Sequence, residues 1–237
     1  MKKLVVLSGA GMSADSGLKT FRDSGGLWEG HDVMRVASPE GYAQNPELVL
    51  EFYNQRRRQL REASPNDGHR ALASLESHFE VTIVTQNVDD LHERAGSTRV
   101  LHLHGELLKA RSTGPKKTVY RWEEDIHPED RCEDGYPLRP HIVWFGEPVP
   151  LLEAAAELTL QADLLVVVGT SLQVYPAAGL IHYRREGVPL YFVDPNPSLS
   201  AGALEHLEIL RERAAVGLPI LANHLIDKGS GFGGPSP

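Results

Sequence analysis

The stretch LVVLSGAGMSA, Leu4–Ala14, runs from a short, β-branched apolar segment straight into a glycine turn. Within it GAGMSA (Gly9–Ala14) fits G-x-G-x-x-G/A directly after a strand, the dinucleotide fingerprint in its proper context. Such a loop needs a tight turn, close backbone approach to a pyrophosphate, and helix N-terminal amides for the charge. By itself the pattern also suits a purely structural strand-to-helix turn.

Further apolar runs follow at Val81–Thr85, Val100–His104, Ile142–Phe145, Leu164–Gly169 and Leu190–Asp194. Near-continuous runs of this length suit strands buried on both faces of a parallel sheet. Helical patterns lie between many of them: GHRALASLESHF, LLEAAAELTLQA and PAAGLIHYRREG. The alternation predicts a doubly wound, Rossmann-like α/β fold with a smaller inserted module. We assign residues 1–30, 65–108 and 142–228 to the large domain, 31–64 and 109–141 to the module, and 229–237 to a flexible tail. The module is expected to be part helical and part ribbon-like.

Polar and glycine residues gather after five of the runs, at Gly9-Ala10-Gly11, Gln86–Asp90, Gly105-Glu106, Thr170-Ser171 and Pro195-Asn196. Open α/β sheets bind ligands outside the carboxyl ends of their strands, so a ligand crevice is expected there. The second strand is delayed until Val81, which means that loops and helices expand the first crossover. No G-x-x-x-x-G-K-[ST] is present, and no segment carries a recognisable hydride-transfer signature. A dinucleotide here reads as consumed rather than as a redox carrier.

With 41% hydrophobic and 24% charged residues, the 237-residue chain has an ordinary globular balance. Its formal net charge of −8 argues against general affinity for nucleic acid or anionic membrane. The single cysteine, Cys132, excludes an internal disulfide. The apolar run after MKK is only about five residues, too short for a signal-peptide core, and no stretch approaches a membrane span. The chain reads as cytoplasmic, and a monomer is expected.

One helix carries an oddity. In NPELVLEFYNQRRRQL (Asn45–Leu60), Val49, Phe52, Tyr53, Arg56 and Leu60 fall on one apolar stripe, so a guanidinium sits where the core is expected. Arg57 and Arg58 read as the solvated side of the same helix. Without further context, Arg56 could simply snorkel with its stem packed.

Five blocks together resemble the sirtuins, NAD-dependent protein-lysine deacylases. They are GAGMSADSGLKTFRD (Gly9–Asp23), TQNVDDLHERAG (Thr85–Gly96), LHGEL (Leu103–Leu107), VWFGE (Val143–Glu147) and VGTSLQVYPAA (Val168–Ala178). The resemblance implies that NAD is a consumed co-substrate. It implies that Gly9, Ala10, Gly11, Ser13, Phe21 and Arg22 serve the NAD phosphates and a mobile cofactor loop. Gln86, Asn87 and Asp89 would then shape the nicotinamide and ribose pocket, and Gly169, Thr170 and Ser171 would line the adenosine side. His104 would be the general base toward a ribose hydroxyl, whereas His102, on the same strand face, is read as structural. The products would be free lysine, nicotinamide and 2′-O-acyl-ADP-ribose.

An acylated-lysine protein or peptide would add as a strand between VWFGE and the loop around Leu172–Val174, touching Val143, Phe145, Gly146 and Val174. In a sirtuin subgroup that favours acidic acyl groups, a Tyr-x-x-Arg pair and a small residue line the acyl pocket. Tyr53, Arg56 and Ala37 match them and imply desuccinylase or demalonylase activity beside deacetylation.

Two features depart from the family. Most sirtuins carry two Cys-x-x-Cys pairs between the HGE and FGE blocks, whereas Lys109–His141 holds only Cys132, so a tetrathiolate zinc site is impossible and no metal is expected. That segment is expected to be held by Tyr120, Trp122, Tyr136 and its prolines. The family's usual asparagine near the adenosine ribose is replaced in VDPNP, leaving Asp194 or Asn196 for that contact. Two other activities stay open on this fold: an NAD glycohydrolase or ADP-ribosyltransferase, and a non-catalytic NAD or ADP-ribose sensor.

Overall fold

A computed structural model describes residues 1–19, 27–28, 30–200 and 202–230. In chain order the elements begin with β1 (Lys3–Ser8), β2 (Leu27–Trp28), β3 (His31–Asp32), α1 (Val33–Val36), α2 (Pro39–Gln44), α3 (Pro46–Glu62) and α4 (Asp67–Ser74). Next come β4 (Glu80–Thr85), α5 (Leu91–Arg94), β5 (Val100–His102), β6 (Gly105–Ser112), β7 (Val119–Arg121) and β8 (Leu138–Ile142). The chain then forms α6 (Leu152–Gln161), β9 (Leu164–Val168), β10 (Leu190–Val193), β11 (Leu207–Leu210) and α7 (Ala214–Ser230).

Six strands form one parallel sheet in the order β11-β10-β9-β1-β4-β5. Counted alone, these strands follow the doubly wound Rossmann order, and the direction of winding reverses between β1 and β9. Alternate side chains of the central strands bury on opposite faces. Leu4, Val6, Val166 and Val168 pack with Leu72 of α4 and Leu218 and Leu221 of α7. Val5, Leu7, Leu165 and Val167 pack with Ala155 of α6 and with Leu180 and Ile181.

The expanded crossover supplies α1–α3, and a three-stranded antiparallel sheet, β7-β6-β8, lies beside them. Helix α3 starts at Asn45, whose side chain accepts from the Leu48 N–H, with Pro46 at the first helical position. Val49, Phe52, Tyr53 and Leu60 are buried against Leu107, Ile142 and Trp144. Asn54 joins this helix to the segment after β7, accepting from the Ile126 N–H and donating to the Ile126 carbonyl. Leu50, Ala110, Ile126, Cys132 and Leu138 form a small core there, with Tyr120 and Trp122 against it. Tyr136 is exposed, although its ring covers Gly114.

Several sequence expectations are corrected. Ile142–Phe145 is not a strand of the main sheet. Gly105 adopts φ +83°, turning the chain out of β5 into β6, and β8 returns antiparallel with Gly105 opposite Ile142. Beyond Ile142 the chain turns, with the Glu147 N–H donating to the Trp144 carbonyl. The sixth strand, LEIL, is not evident from the sequence, because it is a short edge strand with Glu208 interrupting its apolar character. The PAAGLIHYRREG pattern yields a 3-10 segment, Ala177–Tyr183, instead of an α-helix. Helix α7 continues through Ser230, so residues 229 and 230 of the expected tail are helical, and residues 231–237 lie outside the described residues. Arg57 is fully buried, not solvated: its Nε donates to the Leu107 carbonyl at 3.1 Å and its Nη1 to Asn54 Oδ1 at 2.7 Å. Arg58 does face water, paired with Asp125 and Glu51.

A neutral histidine pair underlies the glycine turn. Asn66 caps α4, accepting from the Gly68 and His69 N–H groups and donating to the Met12 carbonyl and Ser16 Oγ. His69 Nδ1 accepts from the Asn66 N–H, and its ring meets the His92 ring at 4.9 Å. His92 Nε2 lies 3.1 Å from Ser8 Oγ. Burial, then the Arg70 charge, pushes the His69 pKa down to about 4; burial, then His69 and His102, holds His92 well below its ordinary value. The unfolded chain therefore binds protons that the folded chain refuses, and stability falls as pH drops from about 6.5 toward 4. His69 alone contributes on the order of 3 kcal/mol to that loss. Denaturant unfolding at about pH 7 and pH 5 should show the decline, reduced in His69→Gln; a decline unchanged by that substitution would exclude the pair as its source.

Candidate active site

The carboxyl ends of β1, β4, β9 and β10 open into a cavity of about 500 Å³, closed on its far side by α3 and the turn after β8. That size suits a small-molecule site. All the site residues expected from sequence that the structure describes line it, with one exception. Asn196 is exposed outside the lining, and its backbone N–H donates to Asp194 Oδ1 at 2.8 Å, while Asp194 is buried and faces the cavity. Phe21 and Arg22 lie outside the described residues.

The glycine turn is anchored by backbone. Gly9 N–H donates to the Val168 carbonyl at 3.0 Å and Gly11 N–H to the Gly169 carbonyl at 2.8 Å. A Cβ on Gly11 would stand 2.8 Å from Gly169 Cα, so this corner requires a residue without a side chain. The turn leads into two 3-10 segments, Ala10–Met12 and Ala14–Ser16, in place of the α-helix expected from the fingerprint. The Met12 and Ser13 N–H groups are used inside the first of them, toward the Gly9 and Ala10 carbonyls. A helix N-terminus thus contributes little here to holding an anion.

Side chains from the loop after β4 supply polarity. Asn87 Nδ2 donates to Ser13 Oγ at 3.2 Å, and Ser13 Oγ donates to Asp89 Oδ2 at 2.9 Å. Asp89 also accepts from the Leu91 N–H. Burial raises its carboxyl pKa, opposed by the Ser13 and Leu91 hydrogen bonds and the nearby His102. Gln86 Nε2 reaches Thr170 Oγ1 at 3.4 Å, joining this loop to the one after β9.

His104 lines the cavity. Its Nδ1 lies 3.0 Å from the Gln86 carbonyl, which can only accept, so Nδ1 carries the hydrogen and Nε2 keeps its lone pair. Burial lowers its pKa and the Gln86 carbonyl opposes that shift. A neutral imidazole with a basic Nε2 is what the arrangement provides.

Tyr53, Arg56 and Ala37 also line the cavity, with Arg56 only 9% exposed. Its Nη1 donates to the Phe52 carbonyl at 2.9 Å, and its guanidinium carbon stands 3.4 Å from the Phe52 ring centroid. Tyr53 Oη accepts from Trp144 Nε1 at 3.0 Å. Burial raises the phenol pKa and keeps the group neutral. Ala37 accepts from the Phe145 N–H at 3.0 Å, and the Val143 N–H donates to the His104 carbonyl. Glu147 fixes this turn: it accepts from Arg111, from both Arg139 Nη atoms and from the Trp144 N–H. Although burial works against its charge, Arg139 above all holds the Glu147 carboxyl below its ordinary range.

Sequence reasoning does not find Lys19 or the ion pair between Asp15 and Arg213, at 2.6 Å, all of which line the cavity. Arg213 comes from the residue just before α7, far from any recognised block. Trp144, within the VWFGE block, reads partly as core in the sequence, and its indole N–H contact with Tyr53 has no sequence signal.

A profile described as "Sir2 family" matches residues 9–176. An NAD-dependent protein deacylase of Helicobacter pylori strain J99 is 56% identical over 230 residues, covering 97% of this chain and 98% of the relative. One from Bacteroides thetaiotaomicron is 50% identical over 232 residues, covering 95% and 99%. Among solved structures, a Sir2 homologue in complex with NAD superposes with a TM-score of 0.86 at 37% identity, covering 96% of this chain and 91% of the other. A Sir2 mutant with a p53 peptide and NAD gives 0.77 at 29%, covering 96% and 93%.

The glycine corner is directly testable. In Gly11→Ala the backbone of Gly169 must move, at a cost of about 1–3 kcal/mol. Denaturant unfolding should report that loss; undiminished stability would mean that the two loops do not meet so closely.

Proposed function

The chain belongs to the Sir2 family, and from that membership we propose that it is an NAD-dependent protein-lysine deacylase acting on acetyl- and, more selectively, succinyl- or malonyl-lysine. The observation that carries this reading is a single cavity holding the basic Nε2 of His104 together with Arg56 and Tyr53. The lining fits NAD chemically: Ser13, Gln86, Asn87, Asp89, Thr170 and Asp194 offer donors and acceptors for ribose, amide and phosphate groups. Bound NAD supplies an activated ribose–nicotinamide bond, and the acyl group ends on the ribose as 2′-O-acyl-ADP-ribose.

In this reading His104 takes a proton from a ribose hydroxyl at Nε2, its ring held by the Gln86 carbonyl. Asn87 and Asp89, locked through Ser13, orient the nicotinamide end. Asp194, not Asn196, meets the adenosine ribose. Phe21 and Arg22 keep the role that the resemblance assigns them. The acyl-lysine backbone adds beside Val143, Phe145 and Gly146 on one side and Val174 on the other. The acyl carboxylate meets the Arg56 guanidinium, with Tyr53 and the small Ala37 beside it.

The residues do not fit the zinc site found in most sirtuins. Cys132 is buried against Ser112 Oγ at 3.2 Å, and no group of three or more potential ligands converges among the described residues. We assign the cohesion of the module to the Asn54–Ile126 bonds and the small core around Leu50 instead.

Two measurements test the reading. Incubation with NAD and matched acetyl-, succinyl- and unmodified-lysine peptides should yield acyl-ADP-ribose by mass spectrometry only with acylated peptide. NAD loss independent of peptide would favour a glycohydrolase or transferase, and NAD binding without turnover a sensor. In the same assay Arg56→Met should lower desuccinylation about thirtyfold, as expected for a charged hydrogen bond of about 2 kcal/mol, and leave deacetylation largely intact. Equal loss of both activities would make Arg56 structural. Metal analysis of the purified protein should find no stoichiometric zinc; one zinc per chain would contradict the module assignment.

A further inference from the structure

His102 and His104 end β5 and its turn two residues apart, and their rings bond successive carbonyls of one loop. His104 Nδ1 faces the Gln86 carbonyl at 3.0 Å, and His102 Nδ1 faces the Asn87 carbonyl at 3.3 Å. The second nitrogen separates them. His104 lines the cavity and its Nε2 takes no hydrogen bond among the described residues, whereas His102 Nε2 lies 2.7 Å from Glu93 Oε1 of α5. Neither a carbonyl nor a carboxylate can donate, so His102 satisfies both partners only with hydrogens on both nitrogens. The His102 side chain is only 8% exposed, while Glu93 on its outer side meets solvent.

We propose that His102 is a positioning residue, an imidazolium that ties the Gln86–Asp89 loop to α5 and so holds Asn87 and Asp89 in register with the neutral His104. The inference rests on the reading of His104 as the base and adds the second histidine to it. The result is two histidines on one strand end held in opposite charge states, distinguished by their acceptors. A neutral His102 can donate to Asn87 or to Glu93 but not to both, so deprotonation releases one end of the tie.

The surrounding charges agree with this state. Burial works against the His102 charge, but Glu93 above all, with Glu106 of β6 and the Asn87 carbonyl, brings its pKa above the ordinary histidine value. Glu93 itself is held below its ordinary range, against its burial, chiefly by His102. Lys109 neutralises Glu106 at its other side, Asp90 pairs with Arg94, and the buried His92 of α5 is neutral. The His102 charge in turn helps the buried Asp89 remain ionised.

Glu93→Gln provides the test, because Glu93 is exposed and the substitution keeps an oxygen acceptor while removing the charge. Ring-nitrogen NMR of the intact protein, with His102 assigned by its loss in His102→Phe, should show His102 doubly protonated at about pH 7.5 and His104 as the Nδ1–H neutral form. The backbone amides of Gln86–Asp89 should shift in step with the His102 titration, which moves to lower pH in Glu93→Gln. Deacylation by the variant should match wild type at about pH 6 and fall about threefold or more below it at about pH 8. A His102 that is neutral at pH 7.5, or loop amides indifferent to its titration, would overturn the proposal. The NMR readout needs no turnover, so an inactive protein would sink the proposed function without deciding this point.

Discussion

Gly11 and Gly169 meet backbone to backbone where β1 and β9 diverge, and the geometry of the site depends on that contact. The parallel sheet brings the two strand ends to the point where its winding reverses. Two hydrogen bonds, from Gly9 to Val168 and from Gly11 to Gly169, then press the loop after β1 onto the loop after β9. That placement positions Ser13, and through it Asn87 and Asp89. Gln86 reaches Thr170 across the same gap, and its carbonyl orients His104. This backbone contact thus sets the spacing among the loops, and the Gln86 carbonyl fixes the tautomer of the candidate base.

Two adjacent arginines in α3 show how burial can be used in opposite ways. Burying a guanidinium costs several kcal/mol unless its donors are met. Arg57 is met only in part: Nε and Nη1 bond the Leu107 carbonyl and Asn54, while Nη2 has no partner among the described residues; Asn54 is in turn bonded to Ile126, so the charge ties helix to sheet within the module. Burial still pushes its pKa down to about 10, against the pull of Asp125. Arg56 lies over the Phe52 ring and lines the cavity beside a neutral phenol. In the proposed function its charge serves a ligand carboxylate. Glu147 plays a third part: its carboxylate gathers Arg111 and Arg139 and fixes the turn that presents Trp144 to Tyr53.

The sheet is legible in the sequence because buried parallel strands leave nearly unbroken apolar runs, as Leu164–Val168 does with all five residues buried. The cavity is legible because the polar tails of those runs converge at one edge. The features that escape the sequence depend on neighbours distant in the chain. Ile142–Phe145 has the composition of a strand, but Gly105 and Glu147 decide otherwise from outside it. LEIL is placed by pairing with β10 at the sheet edge and by packing of Leu207, Ile209 and Leu210 against the two cores. Arg57 looks solvated on a helical wheel until β6 packs against that face. His102 looks structural because a pattern shows a histidine but not its two acceptors. Asp194 and Asn196 are not separable from sequence, since the difference is a turn in which one caps the other.

Where NAD and an acyl-lysine come to rest is the most direct test of these roles. A crystal structure with NAD and a succinyl-lysine peptide should place the diphosphate over Gly9–Gly11 and a hydroxyl of the nicotinamide ribose at hydrogen-bond distance from His104 Nε2. The succinyl carboxylate should lie on Arg56. A dinucleotide bound elsewhere, or one whose ribose turns away from His104, would contradict them.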